Sequence, residues 1–295
     1  MSFVLNQKRK TLLPVLLLLF AMISIQSGAS LAKSLFPTIG ALGVTALRLF
    51  LATIILFIIF KPWRKKLRGH SLKHLLIYGI SLGSMNSLFY LSLERIPLGI
   101  AVALEFTGPL AVAMFSSRRA IDFVWILMVI VGLGFLLPIG NSINSLDPVG
   151  VVYALAAGIC WGMYIIFGQR AGAGYGSATV ALGSFISTLI FFPVGLLTVG
   201  IAPLFDLSIL PIALAVAILS TAFPYTLEMF ALTRMPAKTF GTLMSLEPAM
   251  GAFMGMIFLN EHLTLTQWFA LFCIIGASIG STSTMKTKSE TVEIN

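Results

Sequence analysis

Apolar residues along this chain come in blocks of about twenty, divided by short polar connectors, with no clear amphipathic alternation inside the blocks. A helix rising ~1.5 Å per residue needs a block of that length to cross ~30 Å of hydrocarbon. Such blocks fall at 12–31, 41–60, 74–93, 98–116, 121–138, 149–168, 178–199, 209–231, 237–258 and 265–284. Glycine and proline interrupt several of them, which membrane helices tolerate. The longest connector, Lys61 to Lys73, is too short to fold as a domain. The pattern predicts an all-α membrane protein, a single integral membrane domain of ten transmembrane helices. The first block, behind Lys8, Arg9 and Lys10, is expected to stay as a helix and not to be cleaved as a secretory signal.

Composition sharpens this picture. The chain is 58% hydrophobic and only 10% charged, against about 25% charged in ordinary soluble domains. A net charge of +9 would point a soluble protein toward nucleic acid. Here the basic residues lie in alternate connectors: Lys8 to Lys10, Lys61 to Lys73, Arg118 and Arg119, Arg170, Arg234, and Lys286 with Lys288. Lysine and arginine concentrate on the cytoplasmic side, so both termini are expected there, with Lys33 and Arg95 near the opposite face. The charge then records orientation, and no nucleic-acid partner is expected. Cys160 and Cys273 sit within apolar blocks, as buried free thiols do.

An internal repeat adds a functional clue. Leu93, Arg95, Pro97, Leu104, Pro109 and Ala113 align at constant spacing with Leu232, Arg234, Pro236, Leu243, Pro248 and Ala252. The first R-x-P opens the fourth span and the second opens the ninth. An odd number of spans separates them, so the halves face opposite ways across the bilayer. The fold class expected is therefore ten helices built as two inverted five-helix repeats, residues 1–140 and 141–295. That construction is common among secondary transporters, which hold substrate near the midplane between halves and alternate its access.

Ionisable residues inside spans cost about 2.5–3.5 kcal/mol each at mid-membrane and usually face a cavity or a partner. Four occur: Arg48, Glu105, Glu228 and Glu247. Arg48 and Glu105 lie about equally deep from one face, so they are expected to pair. Glu228 is expected within reach of Lys238 or Arg234. Pro109 and Pro248 each lack the N–H that a carbonyl four residues back would receive, freeing those of Glu105 and Met244. Both prolines are expected as helix breaks that present polar groups to a substrate path, a packing kink being the alternative. Further polar stripes run through Ser24, Ser27, Ser30 and Ser34 with Gln26 and Lys33 nearby, through Gly83, Asn86, Ser87 and Tyr90, through Tyr153, Trp161 and Tyr164, and through Thr221, Pro224, Tyr225 and Glu228. Spans five and ten are nearly featureless, as lipid-facing supports would be.

Catalytic chemistry is missing. There is no G-x-x-x-x-G-K-[ST], no H-E-x-x-H, and no histidine at membrane depth. No cofactor, metal or catalytic residue is expected, and energy must come from an ion or substrate gradient. Glu105, Glu247 and Glu228 are the candidate proton-coupling residues. A passive channel and an intramembrane enzyme remain as alternatives that the inverted repeat disfavours.

The two R-x-P openings, the prolines of spans four and nine, and the closing segment FLNEHLTLTQWFALFCIIGASIG resemble the drug/metabolite transporter superfamily in its EamA-like branch. Glu261, Leu263 and Thr264 match the branch's glutamate-x-leucine-threonine turn. Asn260 departs from the glycine common there, and the first half offers SSRRAIDFVW without that glutamate. SIQSGASLAKSLFP, GVTALRL, PLGIAVALEFTGPLAVA, FSSRR, GQRAG, LAVAILSTAFPY and TFGTLMSLEPA extend the resemblance through nearly the whole chain, toward bacterial inner-membrane exporters of small amino acids. The resemblance implies export of threonine, homoserine and related small amino acids, driven by proton motive force, with drugs or other metabolites as the broader alternative. Such a substrate suits the residues: its ammonium on Glu105, Glu247 or Glu228, its carboxylate on Arg48 or Lys33, in a cavity lined by Asn86, Tyr90, Trp161 and Tyr164. The partners expected are a zwitterionic amino acid, protons and membrane lipid, with a homodimer left open.

Overall fold

The computed structural model describes residues 2–64, 69–115, 120–136, 146–176, 178–232 and 243–284. All regular elements among them are helical: α1 (Ser2–Lys33), α2 (Phe36–Phe60), α3 (Gly69–Leu93), α4 (Leu98–Phe115), α5 (Ala120–Leu136), α6 (Pro148–Tyr175), α7 (Ala178–Val199), the short α8 (Ile201–Leu204), α9 (Leu210–Ala217), α10 (Phe223–Leu232), α11 (Glu247–Leu259) and α12 (Leu265–Thr284). Six stretches among the described residues are long and apolar enough to cross a membrane: Val15–Lys33, Phe36–Phe60, Leu72–Leu93, Pro148–Tyr175, Ala178–Val199 and Leu210–Glu228. Shorter apolar stretches fill α4, α5, α11 and α12. Arg234, Pro236 and Lys238, on which the second R-x-P opening rests, lie outside the described residues.

Backbone chemistry explains the irregularities. Gly40, at φ 62° and ψ 170°, divides α2 into a first turn and a long remainder, a conformation that residues with a Cβ rarely adopt. The Ala41 N–H that the break exposes donates to Glu94 Oε1 at 2.6 Å, as an acidic cap does at a helix start. The eighth apolar block is α9, a π-helical turn at Ile218–Ala222, and α10. Pro224 accounts for that wide turn. Without an N–H it cannot serve an α-helical or a π-helical acceptor upstream. Phe223 instead donates to the Ile218 carbonyl, and the Leu219 carbonyl takes the Ser24 hydroxyl at 2.6 Å.

The two repeated prolines behave differently. Pro109 lies inside α4, which continues unbroken from Leu98 to Phe115, so the break expected there does not form. The carbonyl it frees, that of Glu105, lies against α6, where a Cβ at Gly158 would come within 2.6 Å of that oxygen. Only a glycine lets the two backbones approach so closely. In the ninth block the chain turns at Ser245 and Leu246, and α11 starts at Glu247 with Pro248 in its first turn, where a missing N–H costs nothing.

The strongest packing pairs are α3 with both α6 and α7, α2 with α7, α5 with α12, and α4 with α6; α4 also packs on α11, and α1 lies against the π-helical turn, α10 and α11. Alanine, leucine and valine side chains from α1 to α4 and from α6, α9, α11 and α12 form the main buried cluster. On α5 and α12, Phe123, Leu127, Ile130, Phe269 and Phe272 stand exposed, as side chains facing hydrocarbon do. One end of the bundle is stapled. Glu261 Oε1 accepts from Lys33 Nζ at 2.8 Å, and Oε2 accepts from the Leu98 N–H at 2.7 Å. At the same end Arg95 pairs with Asp147 at 2.8 Å, and Asp147 also caps α6 through the Val149 N–H.

Candidate substrate site

Arg48 is the centre of the buried polar interior. It is 4% exposed, and three side chains from two other elements hold its guanidinium. Nη1 donates to Ser220 Oγ of the π-helical turn at 3.2 Å, and Nη2 donates to Asn86 Oδ1 of α3. The Tyr90 ring lies 4.6 Å beneath Cζ, a cation–π arrangement strengthened by desolvation. Each partner is itself fixed: Asn86 donates to the Leu82 carbonyl at 2.7 Å, and Ser220 to the Val216 carbonyl at 2.6 Å. The pairing expected between Arg48 and Glu105 is not made. The ion pairs among the described residues are Lys33–Glu261 and Arg95–Asp147. Glu105 acts on Arg48 and on Glu247 only through longer-range charge interaction. The fork is already occupied by neutral acceptors that leave its positive charge uncompensated.

The interior also holds two carboxylates. Glu105 of α4 and Glu247 of α11 are 7% and 5% exposed. They are close enough for their charges to interact, and Glu247 Oε2 has no hydrogen-bond partner. Arg48 Nε, Tyr90 OH, Thr221 Oγ1 and Gln26 Oε1 are likewise buried and without partners. A buried polar group left unsatisfied costs about 1–3 kcal/mol, and natural folds keep few such groups without a purpose. These five sit on α1, α2, α3, the π-helical turn and α11, and two more, Thr179 Oγ1 and Ser184 Oγ, are on α7.

The remaining sequence candidates fall into two places. Glu228 of α10 is half-buried and within electrostatic reach of Glu247 and of Tyr78, Tyr164 and Tyr225. Tyr78 and Tyr164 stack at 4.8 Å, and Trp161 meets Phe106 edge-on at 5.8 Å. The partners expected for Glu228, Lys238 and Arg234, lie outside the described residues. Lys33, by contrast, belongs to the stapled end and lines a cavity of about 420 Å³ there with Phe36, Glu94, Arg95 and Glu261. At that end the Arg95 hydrogen bond holds the Asp147 carboxyl below the usual carboxylate range. Sequence reasoning passed over Ser220 and the isolation of Gln26. Pro224 signalled the first, and the one amide within a stripe of serines signalled the second.

An all-helical bundle with apolar spans and a buried, unpaired set of opposite charges defines a multi-pass membrane transporter. Residues 148–283 match the EamA-like transporter family. The chain is 59% identical over 289 residues to the threonine/homoserine exporter RhtA of Escherichia coli (strain K12), covering 98% of each chain. It is 58% identical over 290 residues to the threonine/homoserine exporter RhtA of Salmonella typhimurium (strain LT2), again 98% of each. A crystal structure with 18% identity covers 94% of this chain and 97% of its own at a TM-score of 0.61, a likeness of fold. The chain belongs to the EamA-like transporter family.

Proposed function

We propose that this protein exports threonine, homoserine and related small amino acids across the bacterial inner membrane by alternating access, coupled to protons, with both termini in the cytoplasm. The observation that carries this reading is the buried guanidinium of Arg48 in an interior that also buries the carboxylates of Glu105 and Glu247, with no ion pair between them. A zwitterion satisfies both at once. Its carboxylate completes the coordination of Arg48 through Nε and the Tyr90 hydroxyl, and its ammonium takes Glu247 and Glu105. The names of the relatives agree with that chemistry, since threonine and homoserine are zwitterions that fit a small site.

The inverted-repeat reading, with halves at 1–140 and 141–295, draws support from the packing. Renumber each of the ten spans by its counterpart five places away, and the principal contacts map onto one another. The α2–α7, α4–α11 and α5–α12 contacts become themselves, α3–α6 becomes the contact of span eight with α1, and α4–α6 becomes α11–α1. A site enclosed by α1 to α4, span eight and α11 then draws on both halves, so rocking one against the other exposes it to either face. Proton exchange at Glu105 and Glu247, with Glu228 toward the end opposite Lys33, couples that motion to the gradient.

Radiolabelled threonine counterflow in proteoliposomes, competed with a panel of amino acids, tests the substrate. Homoserine and threonine are expected to compete, and flux insensitive to both would overturn the reading. For coupling, Glu105→Gln and Glu247→Gln are each expected to abolish uptake driven by a pH gradient into inverted vesicles. Undiminished uptake in both variants removes these residues from the mechanism.

A further inference from the structure

Gln26 is 1% exposed in the middle of α1, and its carboxamide oxygen has no hydrogen-bond partner. Its neighbours Ser24 and Ser30 are engaged, Ser24 with the Leu219 carbonyl at 2.6 Å and Ser30 with the Gln26 carbonyl at 2.9 Å. The carboxamide instead points between α4 and α11. A Cβ at Gly251 would lie 3.5 Å from Gln26 Oε1 and 3.0 Å from Val102. Val102 is one helical turn from Glu105 on α4, and Gly251 is one turn from Glu247 on α11, both toward the Lys33 end. The carboxamide therefore lies against α4 and α11 about one helical turn from the residues that carry the two carboxylates, on the Lys33 side.

On the reading above, the substrate lies with its carboxylate at Arg48 and its ammonium at the glutamates. The substituent on its α-carbon is left to extend away from both, toward Gln26. Threonine and homoserine share one feature there, a hydroxyl, on the β- and the γ-carbon respectively. We infer that Gln26 is the specificity-determining residue that recognises the side-chain hydroxyl of the transported amino acid, its carboxamide oxygen accepting the hydroxyl proton. A buried acceptor of this kind discriminates by penalty: an analogue without the hydroxyl leaves the carboxamide unsatisfied in a site that excludes water. The interaction depends on the export reading but selects among amino acids that the charged groups alone treat alike.

The test is counterflow in proteoliposomes of threonine and homoserine against 2-aminobutyrate and valine, which replace the threonine hydroxyl by hydrogen and by methyl. The wild type is expected to favour threonine strongly over both analogues. In the near-isosteric Gln26→Met, the threonine to 2-aminobutyrate ratio of kcat/KM falls about tenfold or more, through loss of threonine transport, while 2-aminobutyrate is retained. Gln26→Asn keeps the amide but retracts it by one methylene, so preference moves from threonine toward the longer homoserine. That directional change also serves if Gln26→Met fails to fold, as judged by size-exclusion in detergent. A parallel fall of threonine and 2-aminobutyrate, or an unchanged ratio, overturns the role of Gln26. Absence of amino-acid flux in the wild type overturns the export reading instead, and is visible before any substitution is made.

Discussion

At the scale of single residues, the interior is organised around an arginine whose partners are neutral. Arg48 spreads its charge over Asn86, Ser220 and the face of Tyr90, a geometry that depends on a planar fork. Lysine carries the same charge on one rotating ammonium and cannot meet two acceptors in a plane while stacking on a ring. Arg48→Lys is therefore expected to leave a folded protein with threonine counterflow reduced by about tenfold or more, the cost of losing a charge-assisted hydrogen bond. Wild-type flux in this variant would mean that only the charge matters. The cost of charge in hydrocarbon marked Arg48, Glu105 and Glu247 in the sequence. Depth along each helix followed from the rise per residue, and that suggested an Arg48–Glu105 pair. Direction around each helix axis did not follow. It is set by which neighbours pack on α2, and they turn the guanidinium to α3 and the π-helical turn.

Among the elements, close backbone crossings and prolines shape the walls of the site. The crossing of α4 and α6 brings Gly158 against the Glu105 carbonyl that Pro109 leaves free. Gly158→Leu forces these helices apart and is expected to destabilise the protein by about 1–3 kcal/mol. Thermal unfolding in detergent would show this as a midpoint several degrees lower, and an unchanged midpoint would mean that the crossing is not tight. The same proline motif ends differently in α4 and in the ninth block. In α4 the freed carbonyl finds a neighbouring backbone and the helix persists, whereas the ninth block turns at Ser245 and Leu246 and restarts at Glu247. Sequence displays both prolines equally, because the difference lies in what packs beside them. Pro224 was visible too, yet its effect needed Ser24 from α1 to supply the Leu219 carbonyl.

For the whole molecule, the proposed alternation of access turns on Glu261, which ties α1 and the start of α4 to the turn between α11 and α12. Opening the bundle at this end must separate those elements. Glu261→Gln removes the charge that holds Lys33 but keeps an acceptor for the Leu98 N–H, so it should favour the opened form without unfolding the chain. A single cysteine at Val102, with Cys160 and Cys273 replaced, reports on this. Val102 is buried between α4 and α11, and its labelling by a membrane-impermeant maleimide is expected to accelerate in the Glu261→Gln background. Equal rates would leave Glu261 as a static staple.

Legible along the chain were the apolar solvent, the helical class, the six stretches long enough to cross a membrane and the short list of costly charges. Each follows from a local rule: the thickness of hydrocarbon sets block length, and desolvation makes an ionisable side chain conspicuous. The folded arrangement was needed to learn that Arg48 bonds Asn86 and Ser220, that Lys33 is drawn off to Glu261, that Pro109 leaves its helix intact, and that Gln26 packs against Gly251 between α4 and α11. Those outcomes depend on helix rotation and crossing, which arise from packing between segments far apart in the chain. A periodic run of apolar residues contains almost no information about them, because hydrocarbon solvates every face of a helix equally well.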